Sequence, residues 1–134
     1  AQKASTLIAA CFLNAGRVAD FVRRTSESVT IVCAGQRNRL SLEDTLCAGL
    51  LLDRIWQGEE PRPVTDSAHT AYTVYNTDRN TLDSALRGAN HAEWLAAQGY
   101  ETDLDYCFRT DALPVLPYYT DNRLRLYEDV VSND

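Results

Sequence analysis

Long apolar runs are absent from this sequence. No uninterrupted apolar stretch approaches the roughly 18 to 20 residues that a helix needs to span a bilayer. The chain also does not open with a basic region followed by an apolar stretch and a cleavage site. These absences predict a cytoplasmic protein with no membrane partner.

A surplus of basic residues is absent as well. The 134 residues include 13 Lys and Arg against 19 Asp and Glu, which gives a formal net charge of -6. A nucleic-acid backbone is normally met by an excess of Lys and Arg, so this balance argues against a nucleic-acid partner. Acidity alone identifies no other partner.

Closely paired metal ligands are a third absence. The four cysteines are widely spaced, and most of them lie in apolar segments, where a free cysteine packs as a small hydrophobic side chain. Only two histidines accompany them, and no pair has the close spacing of a structural zinc site. We therefore expect neither a zinc site nor a disulfide framework. The residues considered are Cys11, Cys33, Cys47, Cys107, His69 and His91.

What the sequence does contain is enough apolar material for one domain. Hydrophobic residues make up 45% of the chain and charged residues 24%, which is typical of a compact unit with a buried core. We find no internal repeat, low-complexity segment or long linker, so residues 1–134 are predicted to form a single α/β domain. The chain opens at Ala1 without an initiator methionine, and we expect it to be part of a longer protein.

Strand and helix patterns alternate in the first half of the chain. Residues 6–13 and 29–34 are nearly continuous apolar runs, as expected for strands buried on both faces of a parallel sheet. The pattern predicts a helix over residues 15–24 with Asn14 as its cap, and a second helix that starts after the hydroxyl cap Ser41. The predicted fold is therefore α/β, with a mainly parallel sheet flanked by helices.

The remainder is helical in the middle and strand-like at the end. The second helix should end at Gly58, and further helices are predicted at residues 67–75, 81–86 and 91–98, the last capped by Asn90. Short aromatic or β-branched segments, broken by prolines and turn residues, predict short strands near the C-terminus. These segments are residues 106–109, 115–119 and 123–127.

Both predicted strands lead directly into a helix start. Ligands of open α/β sheets bind beyond the carboxyl ends of the strands, and the free N–H groups of a helix start suit an anion. One junction contains Asn14, and the other runs from Gly35 to Ser41 and includes Arg37 and Arg39. The arginines would add positive charge and directed donors, so the pattern predicts an anion site.

Two acidic residues follow the second junction. Asp44 stands three residues after Ser41, where a carboxylate stabilises its own helix start. Adjacent Glu43 could instead bind Mg²⁺, which prefers one or two carboxylates together with water and phosphate oxygens. Spacing alone leaves both roles open.

A series of motifs runs along nearly the whole chain in a fixed order. The longest covers residues 39–49, and Asn90-His91-Ala92 with Leu95 is similar to a Ser-x-His-Gly-x-x-Leu stretch. In these motifs the chain resembles the 2-phosphosulfolactate phosphatase family, although Ala89 and Ala92 stand where the family often has Ser and Gly. Further segments that resemble the family are residues 12–15, 18–19, 29–35, 103–107, 111 and 117.

The resemblance implies a magnesium-dependent acid phosphatase. Such a hydrolase converts 2-phosphosulfolactate to sulfolactate, a step associated with coenzyme M biosynthesis, and its substrate is a small anionic phosphomonoester of a 2-hydroxy acid. It further implies that Glu43 and Asp44 are catalytic and bind Mg²⁺. The substrate-binding residues would be Asn14, Gly35, Arg37, Arg39, Ser41 and His91.

Several of these residues also have an ordinary structural interpretation. The loop arginines could be solvated charges, and His91 could satisfy a backbone carbonyl rather than a phosphate. Asp111 is either a turn residue or one more carboxylate of the site. For Cys33 and Cys47, packing is favoured over contact with a ligand.

Members of the family are longer than this chain and begin with an Asp-Val-Leu-Arg-Ala-Thr-like motif that it lacks. The resemblance therefore implies the C-terminal part of an enzyme, with part of the site and the nucleophile left open. Exposed sheet edges would favour a partner, either a complementing N-terminal segment or a second copy in a homo-oligomer. The alternative function is a noncatalytic α/β module that binds an acidic metabolite or a partner protein.

Overall fold

The computed structural model describes residues 6–26, 28–59, 61 and 64–127. Within these ranges six α-helices are followed by one two-stranded sheet, and a 3-10 turn at Phe12–Asn14 precedes the first helix. The helices are α1 (Ala15–Thr25), α2 (Leu42–Trp56), α3 (Asp66–Asp78), α4 (Leu82–Arg87), α5 (Asn90–Ala97) and α6 (Glu101–Cys107). The strands are β1 (Pro117–Thr120) and β2 (Arg123–Leu126).

Helix α2 is the centre of the packing and contacts both α1 and α3. Its residues Leu46 and Leu50 are buried in one cluster with Val18 of α1, and each such side chain contributes roughly 1.5 to 3 kcal/mol by leaving water. Gly49 lets α3 approach closely, because a Cβ at that position would lie 2.3 Å from the carbonyl oxygen of Ala71. The core therefore forms around helices rather than on the face of a large sheet.

The local signals for α2 are confirmed. The Ser41 hydroxyl accepts the Asp44 N–H at 3.1 Å, as the predicted cap requires. At the other end Gln57 (φ 57°) and Gly58 (φ 82°) adopt the left-handed conformation that stops a helix. Helices α1, α3, α4 and α5 also lie where the periodicity predicts helices.

Helix α6 corrects one of the strand predictions. Residues 106–109 were predicted as strand, whereas the helix Glu101–Cys107 covers the first two of them. The cause is tertiary packing, because Leu104 is buried in a cluster with Ala89 and Ala92 while Tyr106 is exposed. That contact favours helical spacing over the β propensity of the aromatic residues. The prediction of short strands near the C-terminus is confirmed by β1 and β2.

The mainly parallel sheet is not seen among the described residues. Their one ladder is antiparallel and pairs Pro117 with Leu126. Residues 6–13 form a single antiparallel bridge, from Ile8 to Tyr118, and residues 29–34 form no ladder, with Val32 83% exposed. The apolar runs predicted strands buried on both faces, but a strand also needs a neighbour for its N–H and C=O groups.

None of the helices in the described ranges is both long enough and apolar enough to cross a membrane.

Candidate functional site

The loop before α2 is a tight hairpin that presents two arginines. Gln36 and Arg39 exchange backbone hydrogen bonds of 3.0 and 2.9 Å. Arg37 (φ 49°) and Asn38 (φ 60°) between them have the two positive φ angles of a type I′ turn. Gly35 is required beside this turn, because a Cβ would lie 2.9 Å from the Arg39 carbonyl oxygen. Both arginines are exposed at the hairpin, directly before the helix start.

The side chains of the first turn of α2 hold this hairpin in place. One Asp44 oxygen, Oδ2, accepts the Gly35 N–H at 2.7 Å. The Ser41 hydroxyl caps the helix and donates to Glu43 Oε2 at 2.9 Å. The position of the loop is therefore fixed by α2 itself, and Asp44 and Ser41 have structural roles whatever else they bind.

Glu43 has one carboxylate oxygen that no other described residue contacts through a hydrogen bond. This buried oxygen is Oε1, whereas Oε2 accepts a hydrogen bond from Ser41. A buried oxygen without a donor is costly to a folded chain, by roughly 1 to 3 kcal/mol. This atom is the most direct sign of an interaction still to be made.

His91, in the first turn of α5, is tied to the hairpin. The Gln36 side-chain amide lies 2.6 Å from His91 Nδ1, and the imidazole stacks on Trp94 with ring centres 5.7 Å apart and planes 9° apart. When the Gln36 amide donates to Nδ1, the proton of the neutral ring lies on Nε2. The ring orientation is thus set by contacts on two sides.

Two cavities adjoin at these residues. They share Gln36, Ser41, Glu43 and His91 as lining. The arginine cavity, of about 520 Å³, is lined by the shared residues and by the hairpin and the α4–α5 turn. The apolar cavity, of about 430 Å³, extends toward α6. The first is distinguished by Arg37, Arg39 and Asn90, and the second by Leu95, Tyr100, Asp103, Leu104 and Phe108.

Most of the sequence-predicted site residues converge on these cavities, and one does not. Asn14 is 3% exposed, and its amide accepts the Cys11 N–H at 2.8 Å and donates to the carbonyls of Ala9 and Val115 at 3.1 and 3.2 Å. It lines neither cavity. Those that converge are Gly35, Arg37, Arg39, Ser41, Glu43, Asp44 and His91. Their roles in binding and catalysis stay predictions.

The start of α1 is closed by side chains of the chain itself. Asn14 occupies the N-cap position but makes no capping bond with its side chain. Instead Asp111 Oδ1 accepts the Gly16 N–H at 2.7 Å, and the other Asp111 oxygen is paired with Arg54. The predicted capping role of Asn14 is wrong, because the Gly16 N–H is bound instead by Asp111, 95 residues after Gly16.

Several residues that line the cavities or contact a lining residue were not predicted as site residues from the sequence. Tyr100 and Asp103 reach the apolar cavity because residues 101–107 form a helix, which the strand prediction for part of that segment missed. Gln36 lay inside the predicted anion loop, but no local pattern marks a glutamine as the partner of a distant histidine. Trp94, three residues after His91 on a predicted helix, could have been found from the spacing of neighbours on one helix face.

The thiols nearest α2 are poor nucleophiles. Burial, and after it the neighbouring Cys11, Asp44 and Cys33, raise the pKa of Cys47 to about 12. Although Cys33 is exposed as a residue, partial burial of its thiol and the charge of Asp44 also raise its pKa. A thiolate is the reactive form, so both groups are protonated and unreactive near neutral pH.

A closed metal cage is not found among the described residues, where no three His, Cys, Asp or Glu side chains converge.

The family profile and the individual relatives that match this chain carry the same description. The profile of the family described as 2-phosphosulpholactate phosphatase matches residues 1–122. The 2-phosphosulfolactate phosphatase of Methanothermobacter thermautotrophicus is 32% identical over 126 residues, which cover 94% of this chain and 53% of that protein. A probable 2-phosphosulfolactate phosphatase of Thermotoga maritima is 31% identical over 115 residues, 86% of this chain and 48% of that protein.

A third relative, a probable 2-phosphosulfolactate phosphatase of Nostoc punctiforme, is 34% identical over 121 residues, 87% of this chain and 49% of that protein. The chain thus spans about half the length of the curated relatives it matches.

Proposed function

The chain belongs to the 2-phosphosulpholactate phosphatase family, and on that premise we propose that it supplies the phosphate-binding part of a magnesium-dependent acid phosphatase. The substrate would be 2-phosphosulfolactate or the phosphomonoester of a related 2-hydroxy acid, as the names of the relatives suggest. One observation carries the proposal: the hairpin arginines, the start of α2 and His91 line a single cavity. A phosphoryl group needs this combination of positive charge and directed donors.

A magnesium ion fits the residues present. Glu43 Oε1 is a buried carboxylate oxygen without a donor among the described residues, and Asp44 has a second oxygen beyond the one that binds Gly35. Magnesium takes one or two carboxylates and completes its shell with water and phosphate oxygens, so it requires no cage of protein ligands. When bound, the ion would neutralise charge on the phosphoryl oxygens.

The side chains of the chain would position the phosphate. Arg37 and Arg39 would bind its oxygens from the hairpin, and His91 would donate from Nε2 while the Gln36 amide contacts Nδ1. Phosphoryl transfer depends mainly on such positioning and charge neutralisation. The raised pKa values of Cys33 and Cys47 disfavour a thiolate nucleophile. We therefore assign the attack to a carboxylate from a further segment or to a water molecule.

A complementing segment is part of the proposal. Residues 29–34 form no ladder within the described ranges, and Leu7 and Val32 are 57% and 83% exposed. Unpaired apolar segments favour the addition of a strand, and the curated relatives are about twice as long as the matched region. We propose that residues 6–11 and 29–34 join a larger, mainly parallel sheet when that segment is present. A homo-oligomer is the alternative source of the partner strand, and size determination by sedimentation separates the two.

The experiment is an assay of the purified chain beside a full-length relative, with 2-phosphosulfolactate and Mg²⁺. We expect phosphate binding without substantial turnover by the chain, and turnover by the relative that excess EDTA abolishes. Comparable specific activity of the two would contradict the assignment of an incomplete site. Undiminished turnover in excess EDTA would contradict the assignment of Mg²⁺. If addition of the complementing segment restores the sheet but not turnover, the chain is a noncatalytic binding module.

Glu43→Gln tests the metal assignment separately. The change keeps the shape of the side chain and removes its charge, so Mg²⁺ affinity should fall at least tenfold while the free energy of unfolding stays within about 0.5 kcal/mol. Glu93→Gln, on an exposed position of α5 outside both cavities, is the matched control. Equal Mg²⁺ affinity of the two variants would restrict Glu43 to a structural role.

A further inference from the structure

The imidazole of His91 is held from two sides, and the two contacts come from different parts of the chain. The side-chain amide nitrogen of Gln36, in the hairpin, lies 2.6 Å from Nδ1, whereas Trp94 of α5 stacks on the face of the ring. Within the described ranges no hydrogen bond engages Nε2. Nε2 is therefore left for a ligand, on a side chain that lines both cavities.

Trp94 itself is not needed for the core. It is 53% exposed, and it belongs to none of the buried clusters in the part of the chain that the structure describes. It also lines neither cavity, so a ligand held there would not touch it. A single exposed aromatic residue is ordinary on a protein surface. What distinguishes Trp94 is the geometry of its contact with His91.

The two rings are close to parallel, with planes 9° apart and centres 5.7 Å apart. Residues three apart on a helix are neighbours, so the helix itself brings Trp94 beside His91. A flat indole against one face opposes rotation of the imidazole about its Cβ–Cγ bond, and the Gln36 amide fixes which edge of the ring faces the hairpin. A side chain that is ordered before a ligand arrives loses less conformational entropy on binding.

We propose that Trp94 is a positioning residue of the phosphate site, which acts through His91 by keeping Nε2 directed at the bound phosphate. The inference rests on the proposed function, because it assumes that His91 donates to the phosphate. Without the stack the imidazole is free to rotate, and its contact with Gln36 is weakened. The site should then lose phosphate affinity while the fold is retained, since Trp94 is outside the core.

Two substitutions of Trp94 separate the stack from the mere presence of an apolar side chain. In calorimetric titrations with inorganic phosphate and Mg²⁺, Trp94→Leu should lose about fivefold in affinity, and Trp94→Phe, which keeps an aromatic face, less than about twofold. Tyr106→Leu is the matched control, because Tyr106 is also an exposed aromatic residue outside both cavities. An unchanged affinity of Trp94→Leu, or an equal loss in Tyr106→Leu, would overturn the inference and leave the proposed function intact. Failure of the wild-type chain to bind phosphate would overturn both.

A double-mutant cycle tests whether Trp94 acts through His91. In a His91→Ala background, Trp94→Leu should change phosphate affinity by less than about 1.5-fold, because the ring that it positions is gone. A further loss of about fivefold in that background would show an effect independent of His91 and would overturn the inference. If His91→Ala alone binds phosphate as tightly as the wild-type chain, both the inference and the role of His91 in the proposed function are contradicted.

The side-chain nitrogen resonances of His91 provide a readout that a merely structural role for Trp94 would not change. The chain has only two histidines, so the signals of His69 are an internal reference. At a pH where the imidazole is neutral, wild-type His91 should show one tautomer, with its proton on Nε2. In Trp94→Leu both tautomers should be populated, while the His69 signals and the free energy of unfolding stay unchanged. A single, unchanged tautomer of His91 in Trp94→Leu would overturn the inference.

Discussion

The starts of α1 and α2 look alike in sequence and differ in structure. Each follows an apolar run that resembles a buried strand, and each offers the N–H groups of a helix start. At α1 the Gly16 N–H is bound by Asp111, which is paired in turn with Arg54. At α2 the cap is local, from Ser41, and the arginine hairpin and His91 line a cavity beside it.

The difference shows what turns a helix start into a candidate site. A local cap uses only one N–H and leaves the approach to the helix open, whereas a carboxylate from a distant segment fills the position that an anion would take. Asn14 completes the closure at α1, because its amide is committed to three backbone groups. The following changes are designed to break or sharpen this contrast.

Asn14→Ala should give the largest effect, on stability alone. It leaves the carbonyls of Ala9 and Val115 and the Cys11 N–H without their partner, so we expect a loss of about 3 kcal/mol in the free energy of unfolding. Phosphate affinity of the folded variant should be unchanged. Urea denaturation and a phosphate titration measure the two quantities. Asn80→Ala, at an exposed position, is the control and should change stability by less than about 0.5 kcal/mol. A loss of phosphate binding without a loss of stability would instead make Asn14 a ligand.

Asp111→Gly should open the start of α1. Glycine accepts the positive φ of 59° at this position, so the change removes the carboxylate without straining the backbone. Loss of the cap should cost about 1 to 2 kcal/mol, and part of this should return in sulfate, which can bind the freed Gly16 N–H and Arg54. Denaturation with and without sulfate provides the measurement. Unchanged stability would show that Asp111 does not close this helix start.

Arg39→Gln should weaken the α2 start as an anion site without unfolding the chain. We expect phosphate affinity to fall about tenfold, or about 1.4 kcal/mol, and the free energy of unfolding to change by less than about 0.5 kcal/mol. Calorimetric titration measures the first quantity. Arg23→Gln, on the exposed face of α1, removes the same charge away from the cavity and is the matched control. An equal loss of phosphate affinity in the two variants would show that the effect comes from net charge and not from a contact of Arg39.

The same contrast between α1 and α2 separates what the sequence could predict from what it could not. The α2 start was predictable because its cap, its acids and its arginines lie within ten residues. The closure of α1 was not, because Asp111 is 95 residues away from Gly16. Helix α6 was missed for a similar reason, since the packing of Leu104 is a tertiary contact. The apolar runs at residues 6–13 and 29–34 predicted strands that the described residues do not form, because a strand requires a neighbour that these residues do not supply.

The smallest expected effect is on the pH dependence of stability, and it comes from the thiol of Cys47 on α2. The thiol of Cys47 has a pKa of about 12 in the folded chain against an ordinary value of 9.0. Between these values the unfolded chain loses this proton first, so the stability present below pH 9 decreases as pH rises toward 12. At pH 10 the wild-type chain should have lost about 1 kcal/mol more than Cys47→Ala, relative to pH 8. If the free energy of unfolding depends on pH in the same way in both proteins, the raised pKa of the Cys47 thiol is contradicted.

The central claim is that phosphate binds at the α2 start and not at the α1 start. The most direct measurement is a titration of the isotope-labelled chain with inorganic phosphate and Mg²⁺, followed through the backbone amide resonances. We predict saturable shifts at Gln36, Arg39, Glu43 and His91, with the Gly16 amide unmoved. Shifts at Gly16 in place of the hairpin, or no saturable shift at any of these amides, would contradict the account.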